Sequence, residues 1–246
     1  MPKESLFDEP LRIAHTLLSE RAGDGPHGED PNDPATVQAM QIALHIPKQD
    51  APRRTDVLEA AARAVVKLCL DDRVATVPEF RAGLENWYGH LIRKVARRAR
   101  NTAWEKVQEL TGVTVDDDGA QVRAFLPSAV SEVPADIRKL QISGTELPLD
   151  HPKEIVDDAP VIYVDGSLEM TLGKAAAQVG HASMLLAAHQ PYEWVEAWAR
   201  EDFKLHVREV SAAEFAEFLS APGAVPVRDG GFTEVAPNTV TVVAIP

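Results

Sequence analysis

Along the chain, apolar and polar positions change period several times, and each change predicts an element. "RTDVLEAAARAVVKLCLDD" repeats apolar residues at Leu58, Ala62, Val65 and Cys69, the spacing of one face of a helix. "AMQIALHIP" is a short apolar run closed by proline and fits a strand or a helix. "VIYV", from Val161, reads as a buried strand, and the alanine-rich helix "TLGKAAAQVGHASMLLAA" follows it. "TVTVVAI" near the end alternates as a strand does. Two stretches interrupt these patterns. "RAGDGPHGEDPNDPA", residues 21–35, has Gly, Pro and Asp in place of apolar residues and predicts an exposed loop, with ordered structure beginning near Thr36. "ISGTELPLDHPKEIVDDAP", residues 142–160, carries prolines and acids and is the best linker candidate. The expected organisation is an N-terminal segment and flexible loop (1–35), a first α/β domain (36–141), a linker (142–160) and a second α/β domain (161–246).

The order of elements on the two sides of the linker is the same, which raises the question of an internal repeat. Glu59 opens "EAAARAV" and Lys174 opens "KAAAQVG", an offset of 115, while Trp87 and Trp198 stand 111 apart. At the shorter offset "IRKVARRARNTAWEKV" lies over "FKLHVREVSAAEFAEF", and "GVTVDDDG" over "GAVPVRDGG". "RAFLP" ending at Pro127 matches "VVAIP" ending at Pro246. A repeat makes the basic run at Ile92 a strand leading into the helix "NTAWEKVQEL", against its helical propensity. Two unrelated α/β units sharing one grammar of elements would give the same order with as few identities.

Composition narrows the picture. The 246 residues are 45% apolar and 26% charged, which suits a folded chain with a substantial core. The single cysteine, Cys69, has no partner for an internal disulfide or a structural zinc site, and no run reaches the roughly 18 apolar residues of a membrane span. A cytoplasmic protein is expected. The net charge of −13 opposes nonspecific nucleic-acid binding, so an RNA role would need a local patch. "IRKVARRAR", with Arg93, Arg97 and Arg98, is the available one, and it fits a solvated face equally well.

Two stretches carry candidate chemistry. On the helix after "VIYV", Lys174, Gln178 and His181 fall on one stripe, while Ala175, Val179, Ala182 and Leu186 form another that can pack on a sheet. Thr171 can cap this helix, and free N–H groups at its start, with Lys174 beside them, would favour a phosphate or a developing oxyanion. The second stretch is "VRDGGFTEVAPNTVTVVAIP". Asp229 precedes two glycines, and Thr239 and Thr241 would place their hydroxyls on one side of a strand. These residues fit an Asp-Gly turn before a core strand as readily as a site in which Asp229 orients a water or holds Lys174.

Together, and in this order, "GKAAAQVGHA" and "DGGFTEVAPNTVT" resemble the type-2 peptidyl-tRNA hydrolases, whose pattern is G-K-x-A-A-Q-x-x-H-A followed by D-x-G-x-T…P-x-T-x-T. The resemblance covers about residues 160–246. It implies a four-stranded mixed-sheet α/β fold, usually a homodimer, and cleavage of the ester between peptide and tRNA. It also implies Lys174, Asp229 and Thr241 as catalytic residues, Gln178, His181, Thr233 and Thr239 lining the site, and no metal or cofactor. Lys174 would bind phosphate or stabilise the oxyanion, and Asp229 would position or deprotonate the water. The chain departs from the pattern at Phe232, where a basic residue is common, and at Asp165, Glu169 and Leu172 in the loop before the helix. If each half is one such unit, the chain is a degenerate tandem pseudo-dimer, a monomer whose first half carries Glu59 in place of the lysine and supplies Arg93, Arg97 and Arg98 to grip tRNA. An unrelated first half would leave a homodimer open. A catalytically silent RNA- or protein-binding module of the same fold, or a hydrolase of a smaller ester or amide, fits the altered surroundings.

Overall fold

A computed structural model of the chain describes residues 8–22 and 28–246. Helix α1 (Asp8–Arg21) precedes strand β1 (Gln38–His45). Helices α2 (Arg54–Cys69), α3 (Arg73–Thr76) and α4 (Pro78–Tyr88) lead to β2 (Arg93–Ala99) and α5 (Asn101–Val107). The hairpin β3 (Gly112–Asp117) and β4 (Ala120–Phe125) follows, then the short β5 (Ser128–Ala129) and α6 (Ala135–Arg138). Beyond the linker come β6 (Val161–Asp165), α7 (Leu172–His189), α8 (Tyr192–Arg200), β7 (His206–Val210), α9 (Ala212–Leu219), β8 (Val225–Arg228) and β9 (Val240–Ile245).

The strands form two mixed sheets. The first runs β2-β1-β4-β3, with β5 added to β1, and the second runs β7-β6-β9-β8. In the first, β1 is parallel to β2 and antiparallel to β4, which pairs antiparallel with β3. In the second, β6 is parallel to β7 and antiparallel to β9, which pairs antiparallel with β8. Ile42 on β1 lies opposite Ala96 and Ala124; Ile162 on β6 lies opposite Val207 and Ala244. The ambiguous "AMQIALHIP" is therefore the central strand of its sheet. Its residues are apolar on both faces because helices α2 and α5 to α6 cover the two sides, so no alternation remains to mark it as a strand. The basic run becomes β2 and is followed by α5, as the repeat reading expected.

Helices α2 and α7 cross between the sheets and merge the halves into one core, in which Ile42, Leu58 and Val65 join Ile162, Val179 and Val242. The crossing is close at Gly180, where a Cβ would stand 2.7 Å from Val65 Cγ2. Ser183, buried on α7, donates to the Ala62 carbonyl of α2 at 2.7 Å, which satisfies its hydroxyl inside the interface. A smaller cluster of Ala43, Trp104, Val107, Phe125 and Ile137 packs under α5 and α6.

Ordered structure begins well before Thr36. Helix α1 buries Ala14, Leu17 and Leu18, and His15 Nε2 reaches the Ala187 and Gln190 carbonyls at 3.0 and 3.1 Å, covering the end of α7. Of the expected loop at 21–35, residues 23–27 lie outside the described residues; Asp30 to Thr36 form hydrogen-bonded turns. The linker contains no helix and no paired strand, consistent with its prolines, yet it is tied down: Thr145 is buried, and Asp150 accepts from the Thr55 amide. Among the described residues, no helix is long and apolar enough to cross a membrane.

Candidate active site

The site begins where β6 passes into α7. Thr171 is the N-cap, and its hydroxyl accepts from the Lys174 amide at 3.2 Å. The Gly173 amide donates to Thr145 Oγ1 of the linker, also at 3.2 Å. Hydroxyls thus occupy these two amides, which corrects the expectation that they stand free for an anion. The Thr171 amide and hydroxyl donate to Glu234 at 2.9 and 2.7 Å, so a carboxylate already sits at the positive end of the helix.

One and two turns on, the polar stripe meets the end of β8. Lys174 Nζ donates to Asp229 Oδ2 and, at 3.1 Å, to Thr233 Oγ1. Gln178 Nε2 donates to the same Asp229 oxygen at 2.7 Å, and Gln178 Oε1 accepts from Thr241 Oγ1 at 2.6 Å. The Gly231 amide donates to Asp229 Oδ1 at 2.8 Å, from a residue at φ +76 that glycine adopts without strain. The Asp229 backbone is fixed too, its amide on the Thr239 carbonyl and its carbonyl on the Asn238 amide, each at 2.8 Å. The side chains of Lys174 and Asp229 are 11% and 7% exposed. At such burial the pair is held by specific hydrogen bonds, and Thr241, fully buried on β9, fixes which way the Gln178 amide points.

This network opens into a pocket of about 490 Å³ whose walls come from both halves: β2 and Ile142 on one side, α7 and the loop after β8 on the other. His181 lines it one turn beyond Gln178. Burial, with Lys94 nearby, holds the His181 imidazole well below its ordinary range, so it is neutral at pH 7. Lys94, which shares β2 with the basic run, also lines the pocket; its ammonium contacts Met184 Sδ at 3.2 Å and lies 4.8 Å from the Trp87 ring centroid. Burial lowers its pKa to about 7.

The other residues expected at the site divide. Thr233 joins the network and Arg93 lines the pocket, ion-paired with Glu29 and stacked 4.7 Å from the Phe232 centroid. The departure at Phe232 thus meets a guanidinium from the other half. Thr239 precedes β9, and its hydroxyl bonds the Ala236 carbonyl at 2.8 Å, so it does not share a face with Thr241. Arg97 projects from β2 toward Gln41 and the Leu140 carbonyl, at 2.8 and 3.1 Å. Arg98 bonds Gln141 and, in the linker, the Gly144 carbonyl. Neither lines the pocket. The reading from sequence missed Lys94, Thr145 and Glu234. Alternation along β2 sets Lys94 and Arg97 on opposite faces, a signal available only once the run is known to be a strand. For Thr145 and Glu234 no local signal exists, because each reaches α7 from a loop.

Residues 159–246 match the family model described as Peptidyl-tRNA hydrolase PTH2. A peptidyl-tRNA hydrolase of Methanopyrus kandleri is 39% identical over 94 residues, covering 35% of this chain and 80% of that protein. Those of Staphylothermus marinus and Pyrobaculum aerophilum are 40% and 35% identical over 96 and 102 residues, covering 78% and 84% of their lengths and 35% and 37% of this chain. The matched region holds Lys174, Gln178, Asp229 and Thr241 together with sheet β7-β6-β9-β8.

Proposed function

Because the chain belongs, through its C-terminal part, to the PTH2 family of peptidyl-tRNA hydrolases, we propose that it hydrolyses the ester between peptide and tRNA at the Lys174–Asp229 pair. The observation that carries this reading is the closed chain of bonds from Thr241 through Gln178 to Asp229, with Lys174 on the same carboxylate oxygen. An ionised carboxylate offers about four lone-pair positions, and three are taken by Lys174, Gln178 and the Gly231 amide. The fourth accepts a proton from the attacking water and returns it to the ribose oxygen as the ester C–O bond of the tetrahedral intermediate breaks. Lys174 spends two of its three N–H donors on Asp229 and Thr233, and the third points charge at the ester carbonyl oxygen as the tetrahedral intermediate forms. Gln178 and Thr241 hold the carboxylate in place; Thr241 acts through Gln178 and touches no substrate. No step requires a metal or a covalent intermediate.

The same reading takes the chain as a tandem pseudo-dimer acting as a monomer in the cytoplasm, with the first half in the place of a second subunit. The identical order and sense of the two sheets supports it. So do Trp87 and Trp198, each of which donates its indole N–H to the backbone carbonyl six residues on, at Arg93 and Lys204. Gly180 and Val65, equivalent at the offset of 115, face each other where α7 crosses α2, as equivalent positions do near a two-fold axis. Arg93 and, when protonated, Lys94 then add basic side chains from the first half to Lys174 and Arg228 around the pocket. Release of peptide from N-blocked aminoacyl-tRNA by the purified chain tests the proposal. Turnover that is lost in Lys174→Ala and Asp229→Asn supports it, and a folded protein without turnover would leave a binding module. Sedimentation of the active protein at the mass of one chain supports the monomer, and a dimer mass opposes it.

A further inference from the structure

Among the described residues, the large apolar side chains left most open to solvent include Ile142 (59% exposed) and Phe232 (61%), and both stand on the pocket. Single exposed apolar residues are ordinary on a protein surface. Phe232 differs in being fixed without being covered. Its ring lies along the Gly230 backbone, where an added Cβ would come within 2.6 Å of Phe232 Cε2, so a larger residue at 230 would displace the ring. The Arg93 guanidinium stacks on the ring, and Arg93 is itself clamped by Glu29, whose side chain is 2% exposed. Three residues from two halves of the chain thus hold one aromatic face open at the pocket.

The position of that face is fixed by its neighbour. Thr233, the next residue, accepts from Lys174 Nζ at 3.1 Å. In the substrate of the proposed reaction the scissile ester sits on the terminal ribose, and the terminal base is attached to that same sugar. The base therefore lies one sugar ring away from the reacting carbon. An aromatic platform one residue from the Lys174 contact is placed to meet it. Aromatic side chains bind bases of single strands by stacking, and a guanidinium behind the ring adds a cation–π contribution. On the reading of the site as a peptidyl-tRNA hydrolase, we propose that Phe232, backed by Arg93 and Gly230, stacks on the terminal nucleobase of the substrate and sets the ester against Lys174 and Asp229.

The test uses the full chain and a CCA trinucleotide that carries N-acetylalanine through an amide in place of the ester, with a second probe lacking the terminal base. Binding of the first probe is expected to weaken about 5- to 100-fold in Phe232→Ala, the range of one base–aromatic stack, and as much in Phe232→Leu. Phe232→Trp should restore it. Wild type should lose a similar factor on the abasic probe, with no further loss in Phe232→Ala, because both changes remove one contact. Unchanged binding in Phe232→Ala, full binding in Phe232→Leu, or additive losses on the abasic probe would each overturn the stacking; leucine rescue would assign Phe232 to the acyl chain instead. Turnover of peptidyl-tRNA is read separately. Wild-type turnover with Phe232-independent binding defeats this inference alone, whereas absence of both turnover and probe binding defeats the hydrolase reading with it.

Discussion

In the N-terminal half, α2 brings Glu59 and Arg63 to the boundary with the other half, and both are consumed there. Glu59 accepts from the Val207 amide at 2.9 Å and pairs with Arg208 on β7. Arg63 pairs with Asp117, at the end of β3, and with Asp202, each at 2.6 Å. In the C-terminal half, α7 brings Lys174 and Gln178 to Asp229, at the end of β8, and this junction opens into a pocket. At the offset of 115, Glu59 answers to Lys174 and Arg63 to Gln178. The same framework therefore gives a closed electrostatic joint on one side and an open polar centre on the other. What decides between them is the residues that the opposite half presents. Asp202 and Arg208 complete the first joint, whereas Lys94, without a carboxylate partner among the described residues, faces the second.

This contrast orders the expected effects of mutation. The largest is on turnover: Lys174→Met should lower peptide release about 100- to 1000-fold, the scale of losing one donor to a developing oxyanion, while Glu59→Met should change it less than about threefold. Measurement of kcat for both variants checks this, and a comparable loss in Glu59→Met would break the distinction between the sites. Next is stability. Arg63→Met leaves Asp117 without its cation and removes a link to Asp202, at a cost of about 1–2 kcal/mol, the lower end for a broken pair because Asp202 is largely exposed. Denaturant unfolding should show that loss with kcat unchanged.

A smaller effect should appear in the pH dependence of stability. Lys94 has its folded pKa lowered to about 7 by burial, against an ordinary lysine value of 10.5. Between these values the unfolded chain binds the proton and the folded chain does not, so the contribution of Lys94 to stability rises with pH across that window and is flat on either side. Lys94→Met should therefore stabilise the protein most below pH 7, with the gain falling as pH rises toward 10.5. Unfolding curves at pH 6, 8 and 10 read the sign directly.

The sequence pattern was most informative where function and local structure share a period. Lys174, Gln178 and His181 lie on one helical stripe, and the two glycines after Asp229 mark a turn before a strand, so both halves of the polar centre are visible in the sequence. The repeat reading placed the basic run as a strand before a helix, but the order of strands around each sheet depends on long-range pairing and was not legible. Face assignments failed where they depended on register. Thr239 and Thr241 alternate in the sequence, but β9 begins at Val240, after a register shift between Val227 and Arg228 on its partner, and Thr239 belongs to the loop. Arg97 and Arg98 share a basic run with Arg93, yet hydrogen bonds to Leu140 and Gly144 draw them to other parts of the fold. Helix α1 was hidden for a different reason: its Ala14, Leu17 and Leu18 gain their burial from distant α7 and α8, a partner no local window contains.

The most direct test of an open and a closed site on one framework is to neutralise the two strand-end carboxylates in turn and measure peptide release from N-blocked aminoacyl-tRNA. Asp229→Asn should reduce turnover at least about 100-fold, the loss expected on removing a general base, with Asp117→Asn remaining within about threefold of wild type. Equal losses in the two variants, or full activity in Asp229→Asn, would contradict the assignment of hydrolysis to the C-terminal site.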